Sequence, residues 1–304
     1  HSARKGLVLS GLSQRNIRMI PVDDNFRMRM DLLEARIQQD KADGLHPFIV
    51  VANAGATSTG AIDDLRRAHE IVSAEGMWLH ADAAYGGFFA LTERGRESLR
   101  GIELADSVIV DPHKSMFLPL GTGAVLMKDR RTLVTAFKFT GNHCLPENDR
   151  QGLAAFSDNP FMEFEEEEEI DIAGTAFGED VFEYSMEMSR EFRGLRIWLP
   201  LQFLGVNAFR DQLDDKLSLT DWAWHELEEI PHIHIVTPPQ LSVIPFRLHV
   251  EDATLDELND LNRRLLDSIH ERGNAALSKF VVKGAFCLRM AILNHRTTRE
   301  HVRQ

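Results

Sequence analysis

At 304 residues, with 43% hydrophobic and 27% charged side chains, the chain has the balance of a folded globular protein and length enough for one large and one smaller domain. A formal charge of −13 argues against a nucleic-acid or anionic-membrane partner, since either wants a basic face, and no apolar run approaches the ~20 residues of a membrane-spanning helix. Two cysteines, Cys144 and Cys287, make no disulfide framework and no zinc-like spacing, so a soluble protein in a reducing, cytoplasmic setting is expected.

The chain opens at His1 on a helix-like stretch. From Ile17 to Thr140, short apolar runs alternate with amphipathic ones, the rhythm of βαβ units and a largely parallel sheet. Strands are predicted at Ile17 to Pro21, Phe48 to Asn53, Trp78 to Ala81, Ser107 to Val110 and Gly123 to Met127. Helices are predicted at Asp31 to Lys41 on an Asp cap, Leu65 to Glu75 ending before Gly76, and Arg131 to Phe137. Residues Asn142 to Ser185 break the pattern with Pro146, Pro160 and an acidic run from Glu163 to Glu169, which reads as a solvated segment. A helix from Met186 to about Leu204, kinked at Pro200, follows. The remainder reads as α+β: a helix from Ala208 to Glu228, strands His234 to Thr237 and Val243 to Leu248, a helix from Leu255 to Arg272, and a strand Cys287 to Ile292. The expected division is 1–204 and 205–304.

Three polar candidates fall just past predicted strand ends: Thr57, Asp82 and Lys114. In open α/β sheets ligands bind outside the carboxyl ends of strands, so the three can meet on one small molecule. Lys114 lies in Asp111-Pro112-His113-Lys114, with an apolar stretch from Met116 to Leu120 behind it. Desolvation there frees an amine lone pair for attack on an aldehyde. Asp82 is followed by Ala83-Ala84-Tyr85-Gly86-Gly87, small residues that let a flat ring approach the backbone. Its carboxylate either keeps a pyridinium nitrogen protonated or simply caps a turn. The hydroxyls of Thr57-Ser58-Thr59 likewise suit a ligand or a local turn.

The ordered set His1-Ser2, Gly55-Ala56-Thr57-Ser58, His80-Ala81-Asp82-Ala83-Ala84-Tyr85-Gly86-Gly87, Asp111-Pro112-His113-Lys114 and Phe192-Arg193-Gly194-Leu195-Arg196-Ile197-Trp198 resembles the group II amino-acid decarboxylases that depend on pyridoxal 5′-phosphate (PLP). The resemblance implies an α/β fold of type I, with a mostly parallel large domain and a smaller C-terminal α+β domain, and a homodimer with shared active sites. It implies Lys114 as the Schiff-base lysine, Asp82 as partner of the ring nitrogen, and His1 stacked on the ring near the substrate carboxylate. Ala84 would pack on the other ring face, Thr57 would approach the phenolic oxygen, and His113 and Asp111 would lie near the phosphate.

Departures from the family pattern matter as much. The family's phosphate cradle and dimer-clasping segment lie ahead of the stacking histidine, so the chain is expected to lack an N-terminal portion. Ser115 stands where many members carry a bulky residue. His143-Cys144-Leu145 stands where a mobile loop usually brings the tyrosine that protonates Cα, leaving His143 as a candidate donor or an ordinary loop residue. Decarboxylation of an L-amino acid to an amine is the expected activity. An aldehyde synthase or other carbon–carbon lyase is the alternative that His143 keeps open, and a non-catalytic interaction protein is the third.

Overall fold

The computed structural model describes residues 2–137, 184–187, 189–273 and 275–303. Two compact units result, His1–Leu126 together with Arg193–Gln304, and Met127–Phe192. The first opens with helix α1 (Ser2–Leu9) and α2 (Met30–Ala42), followed by strand β1 (Ile49–Asn53), α3 (Leu65–Ala74) and β2 (Trp78–Asp82). Helix α4 (Glu93–Ser98), β3 (Ser107–Val110), the single turn α5 (Pro112–Ser115) and β4 (Ala124–Met127) complete the run. The four strands form one sheet in the order β1-β2-β3-β4. Both β1/β2 and β2/β3 are parallel, with Asn53 opposite Asp82 and Asp82 opposite Ile109.

Side-chain period decides which face is buried. Val50 and Ala52 on β1 and Leu79 and Ala81 on β2 are buried, whereas the alternate residues Val51, Trp78, His80 and Asp82 are half-buried. Helix α3 supplies the covering stripe with Leu65, Ala68, Ile71 and Val72 at helical spacing, and starts on Asp64, whose carboxylate accepts the Arg67 N–H. These residues, with Leu33 and Ile37 of α2, form one apolar core.

The rest of the first unit is a long helix α7 (Leu195–Glu228), an antiparallel sheet and two further helices, α8 (Leu255–Arg272) and α9 (Arg299–Arg303). The sheet contains β5 (Ile233–Ile235), β6 (Val243–Leu248), β7 (Ser278–Val282) and β8 (Ala285–Ala291) in the order β5-β6-β8-β7. Phe246, Phe286 and Leu288 pack with Leu266 of α8, which begins on a capping box between Thr254 and Glu257. Within the second unit, α6 (Arg131–Phe137) follows an Asp129–Arg131 ion pair of 2.7 Å. Among the described residues, no helix is long and apolar enough to cross a membrane.

The architecture is the expected α/β one, and several boundaries move. Ile17–Pro21 is not a strand: Ile20 packs on the core, but the only bridge nearby is the isolated pair Val22–Met28, so the segment has no backbone ladder. Asp31 does not cap α2, which starts a residue earlier, and its carboxylate binds the Arg29 guanidinium at 2.5 and 2.8 Å. Helix α7 starts at Leu195 instead of Met186 because Gly194 is its cap and the polar stretch ahead offers no apolar stripe. The backbone break in α7 falls at Gly205, with φ 74° and ψ 157°, and not at Pro200, which lies inside the helix and supplies it no N–H. Strand β7 and helix α4 were not anticipated. The acidic run Glu163 to Glu169 lies outside the described residues.

Asp63 ties the start of the fold to the end of β1. It is 4% exposed, and it accepts the N–H of Met28 at 2.6 Å and that of Asn53 at 2.7 Å. Asp63→Ala leaves both donors without a partner and is expected to lower the free energy of unfolding by about 2–3 kcal/mol. Urea denaturation of the variant measures this directly.

Candidate active site

The carboxyl ends of β1, β2 and β3 lie side by side, which brings Asn53, Asp82 and the residues just after Val110 to one edge of the sheet. Asp82 is half-buried there. One carboxylate oxygen accepts the Ala84 N–H at 3.3 Å, and the other faces the Ser2 hydroxyl at 3.4 Å. The turn-cap and ligand roles weighed for this residue are therefore compatible, because capping occupies one oxygen. The strap that follows runs flat against its surroundings. A Cβ on Gly86 would sit 2.0 Å from the Ala54 carbonyl oxygen, and one on Gly87 would sit 2.6 Å from Val110. Only glycine permits that approach.

Two residues before Asp82, on the same face of β2, His80 bonds the Ser107 hydroxyl through Nδ1 at 2.8 Å. That hydroxyl also accepts the Trp78 indole N–H at 2.8 Å. Burial pushes the His80 imidazole below its ordinary 6.5, and the neighbouring Asp82 charge opposes part of that shift.

Lys114 stands on α5, directly past β3. Its amine makes a 2.8 Å ion pair with Asp111, whose other neighbour is His113 Nε2 at 3.8 Å. His113 donates from Nδ1 to the Thr122 carbonyl at 2.5 Å, which fixes the ring and aims Nε2 toward Asp111. The apolar stretch expected to wrap the amine does so in part: Met116 is 2% exposed, whereas Leu120 is 82% exposed. The amine's immediate partner is a carboxylate.

Thr57 is exposed, on a turn opened by Gly55 at φ 114°. Its carbonyl accepts a hydrogen bond from Arg289 of β8, whose Nε also donates to Ser278 at 2.8 Å. Arg289 and Ser242 escaped the sequence reading, which placed His80, Tyr85 and Ser115 in or beside motifs but gave them no role. For His80 a signal existed in the period-2 spacing to Asp82; the others become visible only through contacts distant in sequence. Ala84 is half-buried within the strap. His1 and His143 lie outside the described residues.

A half-buried carboxylate, an accessible primary amine one turn past the neighbouring strand, and a floor of alanine and glycine suit a flat heteroaromatic aldehyde. This is the architecture of the fold type I enzymes that use PLP. The conserved domain of the pyridoxal-dependent decarboxylases matches residues 5–157, and the chain belongs to that family. Over its whole length it is 33% identical to an aromatic-L-amino-acid decarboxylase of Bacillus atrophaeus, of which it covers 58%. It is 26% identical to a phenylacetaldehyde synthase of Arabidopsis thaliana, with all of this chain and 58% of that one aligned. Catharanthus roseus tryptophan decarboxylase, solved in complex with L-tryptophan, superposes with a TM-score of 0.81 at 26% identity over 99% of this chain and 57% of that one. The chain thus spans a little over half the length of these relatives.

Because the folded His80 takes up its proton later than the unfolded one, stability is whole above pH 6.5 and falls as pH drops below that value. His80→Gln, which keeps a partner for Ser107, is expected to flatten this part of the stability–pH curve. Denaturation midpoints collected from pH 7.5 to pH 5 measure it.

Proposed function

We propose that this chain carries the lysine half of the active site of a PLP-dependent amino-acid decarboxylase, which converts an L-amino acid to an amine and carbon dioxide. The observation that carries the reading is the strand register: Asp82 ends β2 opposite Ile109, and Lys114 follows on the turn just past β3. Aromatic amino acids are the first substrates to test, given the relatives named above.

Bound PLP supplies an electrophilic aldehyde and a ring that takes up the electron pair left when carbon dioxide departs. Lys114 is the amine that would hold the aldehyde. Asp82, with one oxygen occupied by the Ala84 N–H, keeps a proton on the ring nitrogen through the other. Ala84 and the glycines after it would form the surface under the ring, and Thr57 would hold its phenolic oxygen. His113 and the backbone around Asp111 border the phosphate, where the Asp111 carboxylate is offset by the two cationic or donor groups beside it. His1 is assigned to the ring's other face, and His143 to proton return at Cα.

The homodimer belongs to the same proposal. In its support, the first turns of α7 leave Trp198, Phe203 and Leu204 at 56%, 79% and 63% exposure, an apolar surface that a second subunit would cover. The division into a cofactor-binding domain to residue 204 and a small domain from 205 is supported by the break at Gly205. A cytoplasmic location fits the buried, unpaired Cys287.

The chain is to be incubated with PLP and a panel of L-amino acids, with carbon dioxide, amine, aldehyde and hydrogen peroxide all measured. Stoichiometric amine and carbon dioxide are expected, falling at least ~10³-fold in Lys114→Ala, in keeping with loss of a covalent catalytic group. Asp82→Asn is expected to keep the bound cofactor while losing most turnover. Aldehyde with peroxide in place of amine transfers the assignment to the aldehyde-synthase reading, and turnover that survives Lys114→Ala refutes both.

A further inference from the structure

A lysine side chain has four rotatable methylenes, so its amine is only as well placed as the backbone that carries it. That backbone is a weak element here. The turn α5 is four residues long, and Asp111 at its head makes no side-chain capping bond. An isolated turn of that length does not hold itself.

Besides the bonds of His113 to the Thr122 carbonyl and of the Leu118 N–H to the Pro112 carbonyl, two bonds tie it to the strap after β2. The Asp111 N–H donates to the Ala84 carbonyl at 3.1 Å, and the Ser115 hydroxyl donates to the Tyr85 carbonyl at 2.8 Å. Ser115 has no exposed surface. Consecutive carbonyls of the strap that begins at Asp82 therefore grip the residues on either side of His113-Lys114. The strap is clamped in turn. A Cβ on Gly55 would lie 2.9 Å from the Tyr85 ring, and Phe89 meets that ring edge-on at 5.7 Å. The Tyr85 phenol accepts the Ser242 N–H at 2.8 Å and shares a hydrogen with the Ser242 hydroxyl at 2.7 Å. Ser242 is itself fully buried at the head of β6, and its carbonyl accepts the N–H of Ile292 just past β8.

We propose that Ser115 and Tyr85 are positioning residues for Lys114: the hydroxyl of one and the carbonyl of the other lock the lysine's turn to the Asp82 strap, and the Tyr85 phenol locks that strap to the C-terminal sheet through Ser242. The proposal rests on the reading of Lys114 as the cofactor lysine. It makes the spacing between the amine and the Asp82 carboxylate a property of three buried hydrogen bonds and not of either side chain's own conformation. Burial raises the phenol to about 12, so the anchor keeps its proton throughout the working pH range.

The test uses the full chain, PLP and borohydride, which fixes the lysine–aldehyde adduct as a stable secondary amine. Peptide mass mapping then gives the rate and site of labelling, the visible circular dichroism reports the adduct's orientation, and thermal midpoints report the fold. In the unaltered chain, Lys114 is expected to carry the label. Ser115→Ala is expected to slow labelling of Lys114 about threefold to tenfold, the worth of one hydrogen bond, and to weaken the dichroic band while the protein stays folded. Tyr85→Phe, which leaves the carbonyl in place and removes only the phenol's anchor, is expected to shift both readouts the same way by less, and it decides the matter should Ser115→Ala not fold. Labelling and dichroism unchanged in a folded variant overturn the positioning role alone. Absence of label from Lys114 in the unaltered chain overturns the cofactor-lysine reading itself.

Discussion

Parallel pairing of β2 with β3 is the constraint on which the site depends. Because both strands run the same way and stand in register at Asp82 and Ile109, the loops leaving them emerge from one edge, and a carboxylate and an amine far apart in sequence become neighbours. Parallel strands cannot be joined by a tight turn, so the chain between them must travel back over the sheet. Here it does so through α4 and the short turn Ile102–Leu104, burying Phe89 and Leu99 on the way. The same apolar burial that makes the crossover stable thus aims both functional groups, and no separate device is needed to bring them to one edge.

Charge is arranged around that edge with little redundancy. Asp82 has one oxygen held by a backbone N–H, and burial lowers the pKa of His80 behind it, favouring the neutral ring. A protonated imidazole at that place would compete for the very carboxylate proposed to hold the ring nitrogen. The Ser107 hydroxyl, shared by His80 and Trp78, satisfies the imidazole without adding charge. On the other strand end, Asp111 balances Lys114 and stands close to His113, so this small region carries paired charges. An unpaired one would cost far more to bury.

Much of the fold was legible from the sequence because its signals are local. β3 and α6 fall where predicted, as do β6 and α8, since each combines a consistent apolar period with a clear start or stop. Leu255–Arg272 has both a capping box and a glycine at φ 72°. What failed was non-local or ambiguous. Ile17–Pro21 has the composition of a strand, but it joins no ladder among the described residues, where the Arg29 N–H bonds the Pro21 carbonyl at 2.9 Å beside the isolated Val22–Met28 bridge, and a single sequence does not reveal neighbours. Pro200 carries the strongest kink signal in α7, yet the helix yields at Gly205, whose backbone alone tolerates φ 74°. The proposed site divides along the same line: the lysine, the aspartate and the small residues after it stood out as candidates by type and order, whereas Arg289 on the Thr57 carbonyl and Ser242 on the Tyr85 phenol join residues more than 150 positions apart.

Those long-range bonds also explain why the C-terminal residues belong with the cofactor edge. Among the bonds that join the antiparallel sheet and its flanking loops to the parallel one's loops are Arg289 to Thr57, Ser242 to Tyr85, and Gln240, whose side-chain oxygen accepts the Ile62 N–H at 3.0 Å. These three fall on segments leaving the carboxyl end of β1 or β2, while Gln240 also donates to the Asn25 carbonyl at 3.2 Å and Leu241 and Val243 add apolar burial to the same core. Holding the loops there restricts where the strap and the Thr57 turn can lie, which is what a site built from loops requires if its groups are to keep a fixed geometry. In that sense the C-terminal sheet is part of the scaffold of the proposed active site although the sequence-predicted cofactor residues all precede it.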